Sequence, residues 1–325
     1  LGALETADLV QLGTAAVAGL SSGSLVGLAS EQVSALLTAQ VAALTTAQAA
    51  GLTEDQTANL TSAGARALST GVMSLLGTAA VAGLTTEAVA ALGTAQVNAL
   101  SSTQFGALTT EQVVALTTGQ AKALGAAQAR GLTSEQVGAL STDNVAQLST
   151  TAVSALSAGA LGGLDEERAQ ALSSTQVGAL TTGQLTALTT DQVATLGSDE
   201  AAGLKSAQLS ALSTDSLQAL GTQAVSALTT GALRGLSAAQ FGSLTTDQLQ
   251  SLTTGQAASL VTAQVSGLSS AQVDSLESQD LGSLSTVVVA SLGTAALAGL
   301  DDGQLGGLTS TQVGSLTTQQ IQSLT

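Results

Sequence analysis

The sequence predicts an all-α protein, a tight solenoid of about forty very short helices with one helix in each eight-residue repeat. Three observations predict this fold. Leu occupies position 4 and every eighth position after it as far as Leu324, without insertion or deletion. Hydroxyl side chains and Gln recur at the spacing of a helix start, and charged residues are placed as short helices prefer. We therefore expect residues 1–325 to form a single uninterrupted repeat array, a segment of a longer one.

The repeat unit is an octad whose position 8 is Leu, and the first complete octad begins at residue 5. Thr109–Leu116, with the sequence TTEQVVAL, lies close to the consensus. Position 1 is Ser or Thr in 25 of the 40 octads, and position 4 is Gln in 22. The pattern S/T-x-x-Q is a capping box, in which the hydroxyl accepts from one backbone amide and Gln accepts from another. Each octad is therefore predicted to start its own helix.

Positions 5 and 8 share one helical face and predict the buried core. Every position 5 is aliphatic, Met or Phe except Thr57, so Phe105 and Phe241 are interpreted as core variants. A helix of about six residues does not persist alone because nucleation is costly, so stacked neighbours must stabilise it. Small residues at position 7 and frequent Gly are predicted to allow close approach and to turn the chain without Pro.

The placement of charge supports the helical prediction. Of the 22 acidic residues, 18 lie at positions 1 to 3, including Glu31, Asp55 and Glu87. Four of the six basic residues lie at position 6. Acids near a helix N-terminus and bases near its C-terminus both complement the helix dipole. A β-solenoid is the alternative, with positions 5 and 7 facing inward, but it leaves Leu at position 8 on the wrong face and Gln at position 4 without a role.

A weaker, 72-residue superperiod of nine octads appears in the octads that lack Gln at position 4. Duplication of a nine-octad block explains it. A second explanation is that three octads make one coil and that one coil in three lacks Gln. Two octads for each coil remains open. The octads that share this pattern include GTAAVAGL at 77–84, STTAVSAL at 149–156, GTQAVSAL at 221–228 and GTAALAGL at 293–300.

The composition argues against an enzyme. The chain has no His, Cys or Tyr, and Lys122 and Lys205 are isolated in the sequence, so no catalytic, cofactor-binding or metal-binding residue is predicted. Acidic groups lack the glycine-punctuated spacing of a calcium loop and are interpreted as solvated helix starts. These groups are Glu54–Asp55, Asp165–Glu167, Asp199–Glu200 and Asp301–Asp302.

A net charge of −16 with six basic residues argues against nucleic acid and anionic membranes as partners. No apolar run is long enough to insert into a membrane. Self-association into a fibre, through uncapped ends or lateral contacts, is the expected partnership. Paired Thr residues such as Thr109–Thr110, Thr117–Thr118 and Thr181–Thr182 leave a glycan or ice surface open as a partner, although the first Thr of each pair is accounted for as a cap.

The strings LTTEQVVALTTGQAKAL at 108–124 and LTTGQLTALTTDQVATL at 180–196 carry a resemblance. They look like the tandem octapeptide arrays of very large secreted bacterial surface proteins that are labelled adhesin-like or haem-utilisation/adhesion proteins. The resemblance covers the whole chain and implies an extracellular or cell-surface filament or stalk segment. The alternative is an adhesin module that contacts glycan, ice or another cell. No cofactor is expected, since the chain has no His or Tyr to bind haem iron.

Overall fold

A computed structural model describes residues 2–324, and across them the chain forms forty α-helices of four to six residues and no β-strand. The predicted all-α fold, with one short helix in each octad, is confirmed, and the β-solenoid is excluded for these residues. The chain divides between Leu164 and Asp165 into two compact units, each of which is described separately. The expectation that residues 1–325 form a single uninterrupted array is drawn from the repeat pattern, and it stays a prediction.

The first unit contains twenty helices within the described residues. They are α1 (Thr6–Leu9), α2 (Thr14–Ala18), α3 (Ser22–Val26), α4 (Ser30–Ala35), α5 (Thr38–Ala42), α6 (Thr46–Ala49), α7 (Glu54–Ala58), α8 (Ser62–Ala67), α9 (Thr70–Leu75), α10 (Thr78–Ala82), α11 (Thr86–Ala91), α12 (Thr94–Ala99), α13 (Ser102–Gly106), α14 (Thr110–Val114), α15 (Thr118–Ala123), α16 (Ala126–Gly131), α17 (Ser134–Ala139), α18 (Thr142–Gln147), α19 (Thr150–Ala155) and α20 (Ala158–Leu161).

The second unit contains another twenty within the described part of the chain. They are α21 (Glu166–Gln170), α22 (Ser174–Val177), α23 (Thr182–Leu185), α24 (Thr190–Ala194), α25 (Ser198–Ala202), α26 (Ser206–Leu209), α27 (Thr214–Ala219), α28 (Thr222–Ala227), α29 (Thr230–Leu233), α30 (Ala238–Gly242), α31 (Thr246–Gln250), α32 (Thr254–Ala258), α33 (Thr262–Val265), α34 (Ser270–Asp274), α35 (Ser278–Ser283), α36 (Thr286–Ala290), α37 (Thr294–Leu297), α38 (Asp302–Gly307), α39 (Ser310–Gly314) and α40 (Thr318–Ser323).

Within each unit, a helix packs beside the third helix after it. In the first unit the series runs from α1 on α4 to α17 on α20, and in the second from α21 on α24 to α37 on α40. Three octads therefore complete one coil, and the next octad begins a new layer. This arrangement confirms the coil of three octads and rules out two octads for each coil within these units.

The helices start as the capping box predicts. Thr109, ahead of α14, has extended φ and ψ of −71° and 162°, and its hydroxyl oxygen accepts from the Gln112 amide at 3.2 Å. In return, Gln112 Oε1 accepts from the Thr109 amide at 2.7 Å. The second bond does not need a hydroxyl at position 1, since Gln96 accepts from the Gly93 amide at 2.8 Å. The Gln cap is thus independent of the hydroxyl cap.

Each helix ends within a turn, and the position 8 amide donates to the position 5 carbonyl, as from Leu124 to Ala121 at 3.2 Å. Leu124 itself has φ of −58° and ψ of 127°, so the chain leaves the helix in an extended conformation. The expectation that Gly turns the chain at helix ends is wrong for the described residues, none of which has a positive φ. Where the helix runs as far as position 7, as α15 does, the turn is made by extended backbone at position 8 and at the next position 1, a conformation that any residue adopts.

The predicted face forms the core of each unit. Positions 5 and 8 supply nearly all of the large buried apolar side chains, as Val113 and Leu116 illustrate. Phe105 and Phe241 are fully buried, which confirms them as core variants. Thr57 is buried as well, and its hydroxyl donates to the Glu54 carbonyl oxygen at 2.9 Å, which satisfies the one polar group at position 5.

Candidate functional site

The Gln side chain at position 4 joins successive coils, and it is the polar arrangement that recurs most often. Gln256 is a clear example because its side chain is buried and satisfied at both ends. Its Oε1 accepts from the Thr253 amide at 2.8 Å. Its Nε2 donates to the carbonyl oxygens of Val225 at 2.8 Å and Leu228 at 2.7 Å, at the end of α28. One side chain therefore caps the start of its own helix and the end of an earlier one.

The Gln joint, meaning the hydrogen bonds that such a Gln side chain makes between coils, occurs in both units, and the position 8 carbonyl is its constant acceptor. That acceptor lies 28 residues before the Gln, in the octad four earlier, so the bond crosses from one coil to the next. The carbonyls at a helix C-terminus have no partner within the helix, and Nε2 supplies it. The joint is formed by Gln32, Gln40, Gln48, Gln56, Gln96, Gln104, Gln112, Gln120, Gln128, Gln136, Gln208, Gln240, Gln248, Gln256, Gln264, Gln272, Gln304, Gln312 and Gln320.

Sequence reasoning assigned Gln only the capping role and missed its second role as a donor between coils. The composition of position 4 contained a signal. A capping box accepts Glu as readily as Gln, yet Glu stands at position 4 once, at Glu200, against Gln in 22 octads. Glu200 does cap, since its Oε2 accepts from the Gly197 amide at 2.9 Å. A carboxylate has no N–H for the earlier carbonyls, which explains the preference for the amide.

The joint changes where Gln is absent. Asn144 is one methylene shorter, and its Nδ2 donates only to the Leu116 carbonyl oxygen, at 2.8 Å. Ala80 and Ala88 have no side-chain donor at all. Apart from the single octad of Glu200, the octads without Gln come in runs of three or four. Such a run covers a whole coil, and the nine-octad period places a run in every third coil. These runs include 64, 72, 80 and 88, then 144, 152, 160 and 168, then 216, 224 and 232, then 280, 288 and 296.

The acidic groups considered as calcium ligands lie at helix starts. Glu54 and Asp55 occupy the first turn of α7. Asp301 Oδ1 accepts from the Gln304 amide at 2.7 Å, and Asp165 caps α21 and pairs with Arg168. Among the described residues, no group of three or more His, Cys, Asp or Glu is placed to hold a metal ion. The interpretation of these acids as helix starts accounts for their positions.

First-turn glutamates show the electrostatic effect of the helix start. The pKa of Glu87 is held below its ordinary value by its own backbone amide first and then by the Thr85 hydroxyl. The pKa values of Glu111 and Glu135 are lowered in the same way, with Thr109 and Thr133 as the hydroxyl partners. Hydrogen bonds to the charged form stabilise it, so these carboxylates favour the folded helix start.

Basic side chains reach carbonyl groups near helix ends. Arg66, in the last turn of α8, donates through Nη1 to the Ala91 carbonyl oxygen at 3.3 Å. Lys205 donates through Nζ to the Gly178 carbonyl oxygen at 2.5 Å. Lys122 lies in the last turn of α15. The positions of Arg66 and Lys122 match the helix-dipole prediction, whereas Lys205 is the N-cap residue of α26. The bonds of Arg66 and Lys205 give these two cations a structural partner.

A column of Thr residues at position 2 lies on the surface of the first unit. Thr46, Thr70, Thr94, Thr118 and Thr142 occupy position 2 of successive coils, and all five are exposed. Their helices, α6, α9, α12, α15 and α18, pack on one another in that order within the first unit. The hydroxyls therefore follow one another along a column of stacked helices, while the first Thr of a pair serves as the cap.

A protein-family model described as ALTTAQ repeat matches the chain in six places. The matched segments are residues 1–38, 89–118, 118–150, 169–198, 225–254 and 273–310, which together make up more than half of the chain. No curated protein matches the sequence. Within the described residues, no helix has the length and apolar character needed to cross a lipid bilayer.

Proposed function

Because this chain belongs to the ALTTAQ repeat family, we propose that it is an extracellular structural filament or stalk segment, built by stacking octads without limit. One observation carries this proposal. Each Gln joint donates to the position 8 carbonyl 28 residues earlier, so a coil with Gln bonds to the coil before it through the same acceptor each time. Stability of such an array is a sum of nearest-neighbour terms, which lets the array lengthen without a new kind of contact.

The core supports the same function. An octad buries its position 5 and position 8 side chains against other coils, as Val193 and Leu196 do. No long-range contact beyond neighbouring coils is needed to complete that core. The net charge of −16 would keep a long apolar stack soluble and limit lateral aggregation. We propose a mechanical role without catalysis, for a chain that has no His, Cys or Tyr.

The location is tested on intact cells of the source organism. Antibodies raised against the purified chain, detected by gold-labelled electron microscopy, should mark the cell surface or material extending from it. The same cells treated with an external protease should lose the label, while a cytoplasmic marker protein stays intact. Label confined to the interior of permeabilised cells would contradict the extracellular proposal.

Self-association is tested by sedimentation velocity over a wide range of concentrations, together with negative-stain electron microscopy. A self-assembling filament should show a sedimentation coefficient that rises with concentration and particles joined end to end. Particles that remain single at every concentration would overturn self-assembly and leave a stalk that spans a distance as one chain. Raised salt serves as a control, because it screens charge repulsion and strengthens apolar contacts.

A second function, an adhesin module, is favoured by the exposed column of Thr46, Thr70, Thr94, Thr118 and Thr142. Regularly placed hydroxyls on a rigid stack would contact a glycan or an ice surface through many weak hydrogen bonds. The test compares the chain with a variant in which Thr94 and Thr118 become Val, in glycan-array binding and ice-growth assays. Binding that is lost in the variant supports this function, and identical results for both chains discard it.

A further inference from the structure

Asp280 occupies the place of the joint Gln at position 4 of the octad 277–284, inside α35. Its side chain is only 1% exposed. Its Oδ2 atom is buried and has no hydrogen-bond partner among the described residues. Burial of an ionised carboxylate oxygen without a donor is costly. This group, which the proposed filament role does not use, therefore needs an explanation of its own.

The repeat register shows what an acid at this position would face. Asn144, which has the same side-chain length, donates through Nδ2 to the carbonyl oxygen 28 residues earlier, at Leu116. The carbonyl in the corresponding place for Asp280 is that of Leu252, just after α31. An ionised carboxylate there meets the negative end of a helix and the lone pairs of a carbonyl. A protonated carboxyl instead offers an O–H where Asn offers an N–H.

The ionisable residues of α35 and of the helices near it in the stack are all acidic. Glu277 lies at the start of the same octad, and the neighbouring helices α31, α34 and α38 carry Asp247, Asp274 and Asp301 with Asp302. The helix α32, which packs directly on α35, has no ionisable residue, and its Thr254 forms a hydrogen bond with the carboxyl. The basic residues of this unit are Arg168, Lys205 and Arg234, none of which lies on these helices.

The pKa of Asp280 is raised above its ordinary value. Burial is the largest cause, the Thr254 hydrogen bond opposes it, and the charge of Glu277 adds to it. Because the pKa of Asp280 is higher in the folded protein than in the unfolded chain, the stability that its carboxyl contributes is fully present below the unfolded pKa of this group. That contribution is lost as the pH rises through the folded value. The pKa of Asp280 is therefore shifted in the opposite direction to the pKa values of the first-turn glutamates, and its effect on stability has the opposite pH dependence.

We propose that Asp280 is protonated in the folded chain and donates to the Leu252 carbonyl, which makes this one coil joint sensitive to pH. The joint is closed when the carboxyl is neutral and opens when it ionises. When the joint opens, the Leu252 carbonyl has no donor. The ionised Asp280 carboxylate then places a negative charge between two coils. This inference does not depend on where the chain is located or whether it assembles.

Amide hydrogen exchange on the full chain tests the joint locally, with rates divided by the intrinsic rate at each pH. In the unchanged chain, protection of peptides that cover 277–284 should fall about tenfold from acid to neutral pH, the size expected for one buried hydrogen bond. Asp280→Asn should keep the high protection at both pH values, because the amide donates without titrating. Asp280→Gln is a second variant that restores the usual joint residue.

Two control variants make the outcome decisive. Asp247→Asn, at an exposed first-turn position of α31, should leave the pH dependence of 277–284 unchanged. Asn144→Asp should create a new pH dependence in the first unit, at 141–148 and at the end of α14. Flat protection in the unchanged chain, or lower protection in Asp280→Asn than in the unchanged chain at neutral pH, would overturn the proposal. So would a gain of protection on addition of Ca²⁺ that Asp280→Asn abolishes, since the carboxylate would then be ionised and bound to a cation.

Discussion

Gly106 and Gly131 bring the backbones of α13 and α16 so close that a Cβ atom on Gly106 would lie 2.5 Å from the Gly131 carbonyl oxygen. The two residues are position 6 of one octad and position 7 of the octad three later. The same pairing recurs along the chain at the same spacing, and a Cβ on the first Gly of most pairs would lie under 3.0 Å from the second. The further pairs are Gly138 with Gly163, Gly178 with Gly203, Gly242 with Gly267 and Gly282 with Gly307.

The first prediction follows from this contact. Gly106→Ala should destabilise the chain by about 1–3 kcal/mol, the usual cost of forcing an extra carbon into a packed site. The control is Gly119→Ala in α15, where the nearest atom to an added Cβ is Thr117 Oγ1 at 3.9 Å. That change should stabilise by about 0.5–1 kcal/mol because Ala loses less backbone entropy than Gly. Urea unfolding followed by circular dichroism measures both, and equal shifts in the same direction would contradict the packing account.

Periodicity alone predicted the helices and their buried face. The eight-residue spacing of Leu and the capping pattern act within one octad, so they could be recognised without knowledge of the fold. The contact partners could not be recognised in that way, because Gln256 bonds to residues 28 and 31 positions earlier and this spacing depends on the number of octads in a coil. The close pairs such as Gly106 with Gly131 depend on it too. Once a coil of three octads is known, both spacings are readable from the sequence.

The expectation about Gly failed for a related reason. Roughly a third to a half of protein helices end at a residue with positive φ, which is usually Gly. In this chain the position 8 Leu is drawn into the core, and the backbone leaves the helix extended, as at Leu124. Burial of Leu by other coils therefore decides how the helix ends, and no local signal for that burial exists within one octad.

The second prediction concerns the amide donors at position 4. It is tested by replacing Gln with Glu in one octad and Glu with Gln in another. Gln256→Glu keeps the capping oxygen but removes the donors to Val225 and Leu228. It should destabilise by about 1–3 kcal/mol, because the Leu228 carbonyl is left unsatisfied while the Val225 carbonyl keeps the Leu228 amide. Glu200→Gln adds donors to a joint that lacks them and should stabilise by about 0.5–1.5 kcal/mol. Thermal and urea unfolding at neutral pH measure the two changes. Destabilisation by both variants would show that the amide donors are not what the joint requires.

The third prediction concerns acid. The folded pKa values of Glu87, Glu111 and Glu135 are lowered, so their contribution to stability is present above the unfolded pKa and is lost as pH falls through the folded values. Replacing all three with Gln should make the urea midpoint less dependent on pH in the acid range than it is in the unchanged chain. The carboxyl carbon shifts of the three residues, followed by NMR during titration, provide a direct check. Equal pH dependence in both chains would show that these helix starts do not respond to the charge.

The fourth prediction compares two helix starts that share a Thr cap, of which one has the joint Gln and the other has Ala at position 4. Thr117 and Thr85 each cap a helix by accepting from the position 4 amide, at 3.3 Å and 3.1 Å. The Thr117 amide also donates to Gln120 Oε1 at 2.8 Å, whereas Ala88 offers Thr85 no side-chain acceptor. The Thr117 amide should therefore exchange with solvent at least about tenfold more slowly than that of Thr85, as expected for one additional hydrogen bond in a partly buried site.

Amide exchange followed by NMR on the full chain measures this difference residue by residue. Gln120→Ala should bring the Thr117 amide to the rate of Thr85 while the Thr109 amide, held by Gln112, keeps its own rate. The same substitution removes the donors to Val89 and Leu92, so it should also loosen the coil before it. Slow exchange at Thr117 that persists in Gln120→Ala would mean that the helix start is protected by packing alone. In that case the coils without Gln would be as firmly joined as the rest, and the nine-octad period would have no mechanical consequence.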